Sequence, residues 1–123
     1  MALKILVIED DQDILDILEY VLKDDGYEVI SSLSSSIIAD IESIQPDLIL
    51  LDEWLKAEER GSELCRQLKT CPNTADIPVL ILSAVNPIEL VATEAMADGY
   101  IKKPFDIDEL SRNVRRHMQV SES

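Results

Sequence analysis

Four consecutive aliphatic residues, Leu48-Ile49-Leu50-Leu51, follow Pro46-Asp47 and stop at Asp52. A run this short and this uniformly apolar suits a strand buried on both faces, which requires a parallel sheet with both faces covered. Open α/β sheets keep their ligand sites at the carboxyl ends of the strands, so an acid closing a central strand lies on the crevice side. Alone, Asp52 reads more simply as a strand-end cap, because single motifs carry little weight. Three other strand ends alter that balance.

Ile5-Leu6-Val7-Ile8 is a first buried strand and runs into Glu9-Asp10-Asp11. Asp11 is placed to cap a first helix with Ile14, Leu18, Val21 and Leu22 on one face, and Asp25-Gly26 ends it. Tyr27 to Ser31 reads as a second strand, and Ser34 to Ser36 open a second helix facing inward through Ile37, Ile38, Ile41 and Ile44. Residues 53–60 form a charged loop, and Gly61-Ser62 begin a third helix that ends before Cys71-Pro72. Ile77 to Leu82 is a fourth strand ending on Ser83. Asn86, Pro87 and Glu89 carry the pattern of an N-cap, N1 and N3, with Ile88, Val91, Ala92 and Ala95 facing inward. Tyr100 to Lys103 is a fifth strand closed by Pro104-Phe105. Asp106 with Glu109 then caps a last helix carrying Ile107, Leu110, Val114 and Met118. Strand and helix thus alternate five times with short links. Right-handed crossovers turn this into one domain, residues 1–123, with a five-stranded parallel sheet and helices on both faces.

Composition narrows the function. Hydrophobic residues at 46% exclude a disordered chain, and no apolar run approaches the roughly 18 residues of a membrane span. The start of the chain shows no secretory signal, so a cytoplasmic location is expected. A net charge of −14 argues against direct contact with nucleic acid and fits a divalent cation or a basic partner surface. The three glycines exclude GxGxxG and Walker loops. Cys65 and Cys71 match neither a metal nor a disulfide pattern and read as reduced thiols, Cys65 in or near the core. His117, alone in the last helix, reads as a surface residue.

Parallel strands bring Glu9-Asp10, Asp52, Ser83 and Lys103 to one edge. Two unit charges at 4 Å repel by about 4 kcal/mol at an effective dielectric near 20, so three clustered carboxylates need a proton or a cation. Hard oxygen donors with room for water suit Mg²⁺. The Ser83 hydroxyl and the Lys103 ammonium supply hydrogen bonding and positive charge for phosphoryl oxygens. The set forms a site for an aspartyl-phosphate with Asp52 as nucleophile. Lys103 is preferred to Lys102, since alternation sends the two to opposite faces.

Val7-Ile8-Glu9-Asp10-Asp11, the Asp52 strand, Ile77 to Ala84 and Gly99 to Phe105 together resemble the response-regulator receiver domain of two-component signalling, in order and spacing along essentially the whole chain. The resemblance implies a doubly wound, flavodoxin-like sheet of order 2-1-3-4-5 with five helices. It implies that Asp52 takes a phosphoryl group from the phosphohistidine of a histidine kinase or phosphotransfer protein. Asp10 would ligate Mg²⁺ directly, Glu9 through water, and the Trp54 carbonyl would complete the protein ligands together with Asp52. Ser83 and Lys103 would hold phosphoryl oxygens, Tyr100 would be the switch aromatic, and the Lys103-Pro104 bond would be cis. Such a module is a signalling domain and not an enzyme, with at most slow self-dephosphorylation. It would be a monomer or a weak phosphorylation-dependent dimer, docking an unknown downstream protein through its fourth helix, fifth strand and fifth helix.

One departure stands out. The family carries Pro four residues after the acceptor and Gly four further on; here these positions are Lys56 and Arg60, and Gly61 falls one place late. The loop thus has a one-residue insertion and lacks a rigid turn. Trp54 and Val85 would flank the phosphate and slow hydrolysis, since neither side chain positions a water. An Asp-dependent phosphatase of the haloacid dehalogenase type would place a second Asp at position 54, which is Trp. The remaining alternatives are a receiver cut from a longer regulator and a phosphorylation-independent scaffold.

Overall fold

Each expected apolar run forms a strand in the computed structural model, which describes residues 3–55, 60–84 and 88–120. The strands are Lys4–Ile8 (β1), Glu28–Ser32 (β2), Leu48–Asp52 (β3), Val79–Ser83 (β4) and Gly99–Lys102 (β5). They pair in parallel in the order β2-β1-β3-β4-β5. This is the flavodoxin-like arrangement of the expected order. Asp52 and Ser83 close adjacent central strands, and Asp52 pairs in register with Leu82.

The twofold alternation of a strand divides the sheet into two cores. Ile5, Val7, Leu48, Leu50, Leu80, Leu82 and Ile101 face Gln12–Asp24 (α1) and Ile107–Val120 (α5), meeting Leu18, Leu22, Leu110 and Val114. Leu6, Ile8, Ile49, Leu51, Val79 and Ile81 face the other way, toward Ile41 of Ile41–Ile44 (α2) and Cys65 and Leu68 of Gly61–Thr70 (α3). The helix Ile88–Glu94 (α4) buries Ile88 and Ala92. Every residue of β3 is buried, so truncating Leu50 to alanine costs about 2–5 kcal/mol.

Local signals set the helix ends. The Asp11 carboxylate accepts from the N–H groups of Asp13 and Ile14 and so starts α1, and Gly26 beyond its end takes a φ of 97° that favours glycine. The last helix starts as expected, with Asp106 accepting from Asp108 N–H.

Two expectations change. The second helix is a 3-10 segment, Ser35–Asp40, followed by the single turn of α2, and only Ile41 is fully buried. Four β-branched isoleucines lose side-chain freedom in a continuous α-helix, and the Ser34 hydroxyl caps a tighter start by accepting from Ser36 N–H. Ile107, the first residue of α5, does not join the core as expected and is 52% exposed, whereas Ile14 packs against the core while only partly buried, beside the fully buried Leu15. Ile14 and Ile107 line a surface hollow with Ile17, Pro104 and Phe105. Within the charged loop after Asp52, Glu53 and Leu55 are buried. The expectations for Glu58, Val85, Asn86 and Pro87 lie outside the described residues.

Candidate functional site

The carboxyl ends of β1, β3 and β4 deliver their polar residues to one edge. Glu9, Asp52 and Ser83 are almost fully buried there, and Asp10 is half-buried. Just beyond β5, Lys103 donates its backbone N–H to the Ser83 carbonyl at 2.9 Å, which anchors it beside the end of β4. Its ammonium reaches across the edge to Glu9 Oε1 at 3.1 Å, Glu9 Oε2 at 3.2 Å and Asp52 Oδ1 at 3.0 Å. Lys102 is exposed, so the two lysines separate as alternation predicts. The Lys103-Pro104 peptide bond is cis.

Glu9, Asp10 and Asp52 each offer a carboxylate oxygen within 4.8 Å of the others. This is an all-oxygen donor set of high charge, and its chemistry fits Mg²⁺. Asp11, next in sequence, instead caps α1. Burial pushes the Glu9 carboxyl up to about 7, and the charge of Asp52 adds to this against the opposing pull of Lys103. Burial also raises the Asp52 carboxyl; its hydrogen bond to Lys103 opposes the rise, and Asp10 reinforces it. For Lys103, burial opposes the charged form, but the hydrogen bonds and charges of Asp52 and Glu9 outweigh it and hold the ammonium above the ordinary lysine range. One cation and three acids share the edge, so it favours a further positive charge.

Around this centre, Tyr100 is 38% exposed and its hydroxyl lies 3.4 Å from Glu89 Oε1 on α4, so the ring faces outward. The Trp54 side chain is half exposed at the rim, with the Arg60 guanidinium 4.5 Å from its ring centroid. His117 is half-buried rather than on the open surface, with Nδ1 2.8 Å from the Asn113 carbonyl and Nε2 3.1 Å from that of Asp98.

Sequence reasoning missed Glu53 and the reason for Gly61. Glu53 is 3% exposed, and its carboxylate accepts from Ser62 N–H at 2.7 Å and Ser62 Oγ at 2.9 Å. A Cβ on Gly61 would lie 2.1 Å from the Asp52 carbonyl oxygen, which only glycine avoids. A serine in the first turn of a helix that follows a glutamate-containing loop was the available signal, but it is too common to single out a partner.

The family profile described as the response regulator receiver domain matches residues 5–115. A curated relative, the DNA-binding dual master transcriptional regulator RpaA of Synechocystis, is 37% identical over 117 residues; the match covers 91% of this chain and 47% of the relative. The chain therefore spans about half the length of that relative. Among solved structures, a response regulator from Chloroflexus aurantiacus superposes with a TM-score of 0.90 at 30% identity, over 97% of this chain and 99% of the other. A CheY-like receiver domain protein from Methanospirillum hungatei gives 0.88 at 26% identity, over 99% and 98%.

Proposed function

Because this chain belongs to the response regulator receiver family, we propose that it accepts a phosphoryl group on Asp52 from a partner phosphohistidine, in a reaction that needs Mg²⁺ at Glu9, Asp10 and Asp52. The single observation that carries this reading is Lys103 bridging Glu9 and Asp52 at about 3 Å, at an acid-rich edge that lacks charge balance.

The chemistry follows from what these side chains can do. An Asp52 carboxylate oxygen attacks phosphorus as the phosphorus–nitrogen bond of the donor breaks, and the electron pair leaves with the imidazole. Lys103, already within reach of Asp52, keeps its positive charge and meets the phosphoryl oxygens, as does the Ser83 hydroxyl at the end of the neighbouring strand. Bound Mg²⁺ would supply charge neutralisation between the acids and the phosphoryl group. Asp10 and Glu9 would hold it, with the Trp54 carbonyl as a further oxygen donor.

Tyr100 then reads as the switch aromatic in its outward position, restrained by Glu89. Phosphorylation would draw Ser83 toward the phosphoryl group and leave room for the ring to turn inward, altering the surface of α4, β5 and α5 that a downstream protein meets. The apolar hollow of Ile14, Ile17, Phe105 and Ile107 also contains Lys103 in its lining, which suits a phosphodonor resting beside the site. Among the described residues no helix is long and apolar enough to cross a membrane. A free-standing receiver and a receiver segment of a longer regulator would use this site in the same way.

Intact mass after incubation with acetyl phosphate and Mg²⁺ tests the reading. One added phosphoryl group on the wild type and none on Asp52→Asn is the expected result. A wild type that binds Mg²⁺ yet gains no adduct would favour a docking scaffold instead.

A further inference from the structure

Resting on the reading of Asp52 as phosphoacceptor, we propose that Glu53 is a positioning residue: its buried carboxylate, clamped on Ser62, fixes the backbone from Asp52 to Trp54 and so sets the geometry of the acid cluster. A polar side chain that is 3% exposed needs hydrogen-bond partners to offset the water it gives up on burial. Glu53 finds them nine residues along the chain, in the first turn of α3, where the Ser62 N–H has no partner within its own helix. A helix N-terminus also favours negative charge. The acid next to Asp52 is thus compensated at α3 and does not belong to the Glu9, Asp10 and Asp52 group.

The backbone of the same residue is tied on both sides. Glu53 N–H donates to the Leu82 carbonyl at 2.9 Å, extending the β3–β4 ladder, and its carbonyl accepts from Gly61 N–H at 2.8 Å. One residue further on, Trp54 pairs antiparallel with Arg60, whose guanidinium stacks on its ring. Gly61 itself packs against the Asp52 carbonyl. No proline occurs between Pro46 and Pro72, so a proline turn does not stiffen this neck. Side-chain and backbone hydrogen bonds hold it instead. Displacing the 52–53 peptide would move the Asp52 carboxylate and the Trp54 carbonyl together, and such sites tolerate only about 0.5 Å.

A helix cap of purely structural value would have the same contacts, so the test must read the site and not stability alone. Glu53→Ala removes both acceptors. Glu53→Gln keeps an oxygen for Ser62 N–H and offers an amide donor that Ser62 Oγ accepts. Well below the unfolding temperature of each variant, Mg²⁺ is titrated without any phosphodonor, following the emission of Trp54, the one tryptophan. The rate of adduct formation from acetyl phosphate is measured separately. Glu53→Ala should weaken Mg²⁺ binding and slow adduct formation by about tenfold each, and Glu53→Gln should restore both. Ser62→Ala, which removes only the hydroxyl, should show a smaller loss in the same direction and serves if Glu53→Ala does not fold. Wild-type Mg²⁺ affinity in Glu53→Ala, or in Ser62→Ala where that variant stands in, would overturn the proposal whatever the melting temperature. If the wild type takes no phosphoryl group, the functional reading fails, and the Mg²⁺ titration still decides whether the clamp sets the site.

Discussion

Two lysines with largely buried side chains sit in different surroundings, and the contrast separates what holds this fold from what works in it. Lys69, at the end of α3, directs its ammonium to Asp98 and to the carbonyls of Ala75 at 3.2 Å and Ile77 at 2.7 Å. Asp98 in turn accepts from Val79 N–H at 2.8 Å, at the start of β4. One cation meets one anion, and three donors meet three acceptors. Lys103, at the opposite edge of the sheet, also has three acceptor oxygens, but all belong to carboxylates, and Asp10 stands beside them. The hydrogen bonds are as complete at one end as at the other. The charge is balanced only at the Lys69 end, and a balanced pair is structural, whereas an excess of buried acid is poised for a ligand.

The contrast can be broken from either side. The largest effect expected is on pH dependence without metal. Glu9 titrates near 7 in the folded protein against an ordinary 4.5, so the folded state holds a proton that the unfolded chain has lost. The stability that Glu9 contributes is then fully present below about 4.5 and is lost as pH rises through about 7, a fall of about 3 kcal/mol. Urea unfolding midpoints across this range should show the fall, and Glu9→Gln or added Mg²⁺ should flatten it.

Slightly smaller is the gain from the metal itself. Mg²⁺ at a hundred times its dissociation constant should stabilise the wild type by about 2.7 kcal/mol, read as a rise in melting temperature. Asp10→Asn should lose most of that rise while melting no lower than wild type in metal-free buffer. A full rise in Asp10→Asn would remove Asp10 from the ligand set.

At the balanced end, Lys69→Met should lower stability by about 2 kcal/mol, less than for a fully buried pair because the Asp98 side chain is 39% exposed. It should leave Mg²⁺ affinity unchanged. A shift in that affinity would mean that the two ends are coupled. The smallest signal comes from thiols. Cys71 is exposed and should react readily with iodoacetamide. Burial holds the Cys65 thiol up at about 12, with Lys69 opposing and Asp98 adding to it, so Cys65 should react only when the fold opens. Lys69→Met should speed its labelling by about thirtyfold if that opening is global.

Legibility in the sequence tracked how local each cause is. The strands were readable because burial on both faces demands unbroken aliphatic runs such as Val79 to Leu82, and caps such as Asp11 act within three residues. Ile107 was misplaced because helical spacing states which residues share a face, not how far the partner surface extends. The 3-10 segment at Ser35–Asp40 escaped because i+3 and i+4 apolar patterns overlap in a short isoleucine-rich stretch. Glu53 did not stand out from the charged loop because its partner, Ser62, is nine positions away and belongs to another element.

The sequence alone determined the alternation of buried strands and amphipathic helices, and with it the parallel sheet and the edge at which Glu9, Asp10, Asp52, Ser83 and Lys103 gather. Apolar patterning and strand ends are properties of consecutive residues, and sheet topology turns them into one site. Tertiary structure alone decided which charges meet there: Lys103 spans 94 positions to reach Glu9 and 51 to reach Asp52, while Glu53 turns away to α3. Charge pairing depends on distance and burial in the folded state, and neither quantity is written in the order of the residues.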